Sequence, residues 1–168
     1  MDADAAFAHL EELLDGLPAM QKQGERLARA REAARIAGLE SERATRAALL
    51  AVAEERQRAA EERLARASER ALSDGGDKEG RGVDDARRAV LQASSLRGFR
   101  VGPCRNAERA LERALEEGPF DAVDDARAAL VDYTTLSSLE EEVAAYQRDY
   151  AQTLERCERA MALRSTEL

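Results

Sequence analysis

Apolar and polar positions recur with helical spacing along most of the chain. Phe7, Leu10, Leu13, Leu14 and Leu17 fall three, four or seven residues apart, which predicts a short amphipathic helix over 3–17. Gly16 and Pro18 punctuate its end. Proline also suits the first position of a helix, so Pro18 is read as the start of the next one. From Pro18 to Leu72 there is no further proline, and the pattern predicts a long helix over 18–73. Its length would approach roughly 80 Å at about 1.5 Å per residue. Such a helix cannot bury an apolar face against itself and needs a long partner.

The face that would meet this partner is read from a sustained alternation of threes and fours: Met20, Gln23, Leu27, Ala30, Ala34, Ala37, Ser41, Ala44, Ala48 and Ala51. This is a heptad pattern. Beyond Leu27 its members are all small, so a partner backbone would approach closely. A second stripe of larger residues, Ile36, Leu39 and Leu50, lies off this seam as an outer face. From Glu54 to Arg63 the pattern weakens to Ala59 and Ala60, which predicts fraying, a register shift or exposure there, before Leu64, Ala67, Ala71 and Leu72 resume it. Gly24 and Gly38 read first as close-packing positions within the helix and second as bends.

A glycine-rich stretch over 74–83 predicts a flexible loop. Residues 84–117 then read as a short helical hairpin. Asp84 and Asn106 cap its two helices, the loop between them contains Phe99, Arg100 and Val101, and Gly118-Pro119 closes it. The last helix is expected over 120–165. Leu136, Leu139, Val143, Tyr146, Tyr150, Thr153, Cys157 and Ala160 keep the three-four alternation and make it the natural partner of the first long helix. The fold class is therefore all-α: one elongated domain over 1–168, a long antiparallel helical hairpin or coiled coil with a small bundle formed by the additional short helices.

One internal echo stands out. Val83–Leu96 aligns without gaps on Val123–Leu136, with seven of fourteen positions identical. It reads either as a duplicated helical unit or as two helix starts with similar acidic first turns.

Composition reinforces the helical reading. The chain is 36% charged and 4% aromatic, and alanine supplies much of the 44% apolar fraction. Alanine favours helix strongly but buries little area. The net charge of −8 argues against nucleic acid as a general partner, because that binding rests on neutralising phosphates. The charge is unevenly spread: −5 over residues 1–17, +3 over 18–73, 0 over 74–119 and −6 over 120–168. A mildly basic rod facing an acidic C-terminal helix supports their pairing. No stretch has the length and apolarity of a membrane span, and the acidic start does not resemble a secretion signal. The expectation is a soluble, intracellular, cytoplasmic protein with free thiols.

Candidate chemistry is sparse. His9, the single histidine, reads as a surface residue. Cys157 falls on an apolar heptad position and reads as a buried structural thiol. Cys104 follows a Gly-Pro turn with no neighbouring His or Lys to activate it. Asp84/Asp85 and Asp124/Asp125 read as caps, since neighbouring helical residues point apart. No cofactor or metal motif is present, and no nucleophile-base-orienter set can be assembled, so no enzyme is expected. Arg26, Arg29, Arg31, Arg35, Arg43 and Arg46 interleave with Glu25, Glu32, Glu40 and Glu42, which is first a solvated, salt-bridged face and second a stripe for an anion. The Phe99-Arg100-Val101 segment reads first as a plug folded onto the bundle and second as a docking loop.

The functional expectation is a non-catalytic coiled-coil interaction protein: a scaffold, adaptor or structural subunit that binds protein partners and self-associates as a homodimer. Its interaction seam would comprise Leu27, Ala30, Ala34, Ala37, Ala44, Ala48 and Ala51 with Leu136, Leu139, Val143, Tyr146 and Tyr150. The alternative is a regulatory helical bundle that binds a small anionic ligand or a regulatory protein through the arginine-rich face.

Overall fold

The computed structural model describes residues 3–74 and 80–166. Among them there is no strand; the protein is all-α. Four helices follow in order: α1 Ala3–Asp74, α2 Gly80–Glu117, α3 Val123–Ala128 and α4 Tyr133–Thr166. Of the loop expected over 74–83, residues 75–79 lie outside the described residues, and residues 80–83 already belong to α2.

Three expected boundaries are corrected. The first is at Pro18, which lies inside α1 and does not begin a second helix. Proline removes one ladder hydrogen bond, here to the Leu14 carbonyl, at a cost of about 3 kcal/mol. Packing on both sides offsets this: Leu13 is buried, Leu17 and Met20 are half-buried, and the Tyr146 hydroxyl donates to the Leu13 carbonyl at 2.5 Å.

The second correction concerns the hairpin expected over 84–117. Residues 97–103 are helical, and α2 runs unbroken past Gly98, Gly102 and Pro103. Half-buried Ala86, Val90, Ala93, Leu96 and Arg100 lead into buried Cys104, Ala107, Leu111 and Ala114. These positions form one face through the supposed loop, and that continuous burial outweighs the local preference of glycine and proline. Asp84 and Asn106 are therefore interior helical positions and not caps. The expected stop at Gly118-Pro119 is where α2 ends.

The third correction divides the C-terminal helix. The six-residue α3 closes at Ala128, and α4 begins after Asp132. The Asp132 carboxylate accepts the Thr135 backbone N–H at 2.9 Å and the Thr135 hydroxyl at 2.7 Å, satisfying donors that a helix start leaves open. These bonds hold the Asp132 carboxyl below its ordinary range. The two copies of the internal echo thus fold differently. Val83–Leu96 lies within α2, whereas Val123–Leu136 crosses the break between α3 and α4.

The chain divides into two compact units. The first joins residues up to Ala34 with those from Asp124 onward; the second comprises Arg35–Val123. In the first unit α1 and α4 run in opposite directions, since Leu13 meets Tyr146 while Arg31 pairs with Glu140 at 2.8 Å. Its core is Leu27, Leu139 and Val143, with Met20 and Leu136 packed against them. Every member of the α4 stripe from Leu136 to Ala160 is buried or half-buried, as its spacing requires.

In the second unit Arg97 of α2 approaches Glu54 of α1 at 3.4 Å. The buried residues of α1 here are Ile36, Ala53 and Ala60, joined by half-buried Arg43, Ala47, Leu50, Gln57 and Leu64. Phe120, just past Gly118-Pro119, is also buried. The stretch 54–63 is regular helix, with Ala53 buried just before it and Ala60 buried within it, so neither fraying nor full exposure occurs there. Gly24 and Gly38 have open space where a Cβ would stand and are not close-packing positions.

Candidate functional site

The expected seam divides between the two units. Leu27 and Ala30 are buried in the first, as are Leu139 and Val143 opposite, with Leu136, Tyr146 and Tyr150 half-buried. The Tyr146 and Tyr150 rings stack with centroids 6.4 Å apart. Beyond Ala30 the seam leaves the interior. Ala34, Ala44, Ala48 and Ala51 are exposed and Ala37 is half-buried.

Within the second unit the buried stripe of α1 is instead the one expected to lie outside. Ile36 is fully buried, Leu39 and Leu50 are half-buried, and Ala47 and Ala53 complete the face. It runs one position ahead of the alanine series: 36 against 37, 43 against 44, 47 against 48, 50 against 51. One helical position is about 100° of rotation.

That rotation turns an uncharged strip of α1 to solvent. Gly38, Ser41, Ala44, Thr45, Ala48, Leu49, Ala51 and Val52 are all exposed. Leu49 retains 37% and Val52 51% of its accessible surface. Glu42 and Arg46 flank the strip and pair with each other at 2.6 Å. This is the candidate interaction face.

Phe99 of the supposed loop is 79% exposed on α2, while Arg100 and Val101 are half-buried. The segment is therefore neither a loop nor a plug: the helix points its one large aromatic group away from the unit.

Many arginines form salt bridges along their own helix, including Arg46–Glu42, Arg58–Glu55, Arg66–Glu62, Arg87–Asp84, Arg88–Asp85, Arg127–Asp124 and Arg159–Glu155. Arg31 reaches across to Glu140. The Asp84/Asp85 and Asp124 carboxylates are occupied in this way. Arg43 lies on the buried stripe, where its Nε has no hydrogen-bond partner. Arg26 lines an open groove of about 340 Å³ with Gln23, Thr134, Thr135, Ser138, Leu139 and Glu142.

Both thiols are buried. Burial pushes the Cys104 thiol up, and Glu108, with its carboxylate 3.7 Å away, adds to the shift. Such a thiol yields little thiolate near neutrality. Among the described residues no group of His, Cys, Asp and Glu side chains is arranged to hold a metal ion. No described helix is long and apolar enough to cross a membrane.

Sequence reasoning missed two contacts. His9 bridges to Asp149, and the Tyr146 hydroxyl bonds the α1 backbone. Both lie on the predicted stripes or beside them, but their pairing depends on the register between α1 and α4, which spacing within one helix does not fix.

No family model, curated protein or solved structure matches this chain.

Proposed function

We propose that the chain is a non-catalytic interaction protein, a scaffold, adaptor or structural subunit of a larger assembly, built as an antiparallel coiled-coil hairpin with a small helical bundle. The observation that carries the reading is the uncharged strip Gly38–Val52 on the exposed side of α1. In a chain that is 36% charged, a helix face free of charge over four turns is a surface suited to another helix. Its small side chains favour close backbone approach, and the partner assigned to it is a second copy of this chain in an intracellular homodimer. Recognition would be geometric, set by the length of α1 and by which positions are small.

The test introduces charge where the strip is smoothest. Ala44→Glu with Ala48→Glu should halve the mass measured by light scattering and leave the helical circular dichroism unchanged. A parent chain that is monomeric at tens of micromolar would overturn the homodimer, and unchanged mass in the variant would remove the strip from the interface.

Arg26 favours a second reading, a regulatory bundle that binds a small anion. Its guanidinium shares a groove with Gln23 and the hydroxyls of Thr134, Thr135 and Ser138. Glu142 in the same groove and the Asp132 carboxylate at the start of α4 oppose an anion, so the first reading stands ahead. A rise in melting temperature with inorganic phosphate or pyrophosphate, abolished by Arg26→Gln, would reverse that order.

A further inference from the structure

The imidazole of His9 lies between two carboxylates. Its Nε2 is 3.1 Å from both carboxylate oxygens of Asp149 on α4, and its Nδ1 is 3.4 Å from Oε2 of Glu12 on α1. A neutral imidazole has one donor and one acceptor nitrogen, whereas carboxylates only accept. Both contacts are satisfied together only when the ring carries two protons and a positive charge. Asp149 is held in turn by α4, where the hydroxyl of fully buried Thr153 donates to it at 3.4 Å.

The surrounding sequence decides what happens when that charge is lost. Residues 1–21 contain Asp2, Asp4, Glu11, Glu12 and Asp15 but no lysine or arginine. The charged groups facing His9 are Glu12 from its own helix and Asp149 from the helix packed against it. Protonated His9 makes this contact attractive. Neutral His9 can still donate to Asp149 from one nitrogen, but it no longer offsets the negative charge of Asp149 and Glu12, and the contact weakens.

We propose that His9 is a pH-operated clasp that holds the first turns of α1 against α4 in acid and releases them as pH rises. The bond to Asp149, and secondarily that to Glu12, raises the His9 pKa above its ordinary 6.5. The clasp therefore contributes fully below pH 6.5 and is lost as pH climbs through the raised value. Closure therefore belongs to the acidic side of that raised value.

Cys157 supplies a reporter. It is buried on α4 two turns beyond Asp149, at the i+8 position through Thr153. With Cys104→Ala it becomes the sole thiol, and its reaction with 4,4′-dithiodipyridine reports opening. Comparing the His9 chain with His9→Gln at the same pH cancels the titration of the thiol itself. At pH 6 the His9 chain should react about two- to five-fold more slowly, the scale expected of an exposed ion pair. By pH 8.5 the difference should vanish, and Asp149→Asn should abolish it throughout. Amide exchange at Leu10 and Leu13, compared between the native chain and His9→Gln, repeats the test with both cysteines intact. A rate ratio that stays constant with pH, or one that Asp149→Asn leaves unchanged, overturns the clasp.

Discussion

Pro18 has no N–H to offer the Leu14 carbonyl, yet α1 continues through it. The tolerance comes from side chains on either side: Leu13 is buried, and Tyr146 supplies a donor to the adjacent carbonyl at 2.5 Å. Pro18→Ala restores the missing hydrogen bond without disturbing either. In a continuous helix it should stabilise the protein by about 1–3 kcal/mol, a large part of the usual penalty for interior proline. If Pro18 instead opened a separate helix, the same change would be neutral or destabilising, because proline is favoured at that position. The midpoint of urea unfolding distinguishes the two. The sequence alone is ambiguous here, since one proline serves either role and only the packing of Leu13 and Leu17 selects between them.

At the scale of elements, the buried stripe of α4 was legible but its start was not, and α1 was legible only in part. The α4 stripe is marked by Leu139, Val143, Tyr146 and Tyr150, whose bulk makes burial decisive. In α1 two faces carry three-four spacing, and both are rich in alanine, which gains little from either side. Arg43 and Gln57 lie on the buried face and disguise it as polar, while the exposed face is the smoother one. Alanine substitutions can show which face is inside. Ala53→Leu adds three heavy atoms at a site with 2% exposure and should cost about 1–3 kcal/mol through overpacking. Ala48→Leu is exposed and should change monomer stability by no more than about 0.5 kcal/mol. Equal effects in thermal unfolding would place the two alanines in equivalent environments, contrary to the structure. In α2, glycine and proline signalled a loop at 97–103, but the apolar face ran through it without a gap; regular burial proved the stronger signal.

For the whole molecule, the all-α class followed from charge content, alanine and the scarcity of aromatic residues, properties that survive any error in boundaries. The division into two units did not, because it depends on which helices touch. Tyr133, Tyr146 and Tyr150, the only tyrosines, all lie in the first unit. Tyrosine emission therefore reports that unit alone, whereas circular dichroism at 222 nm reports every helix. Because α1 contributes residues to both units, the two signals should share one denaturation midpoint. Separate midpoints would mean that the hydrogen-bond ladder of α1 parts near Ala34 before either unit is lost. The candidate interaction face was visible in outline as an alanine series, but its exposure was not, for the same reason that the units were hidden.

The exposed strip of α1 and the residues that hold its unit together are different sets. Gly38, Ala44, Ala48 and Val52 face outward, while Ile36, Ala53 and Ala60 face inward. Most mutations are filtered first by whether the fold still clears its stability threshold. Changes on the outward set largely escape that filter. Selection can then alter that surface, one substitution at a time, while the inward set keeps the helix in place. A lineage carrying this arrangement can change what it presents to solvent without passing through an unfolded ancestor.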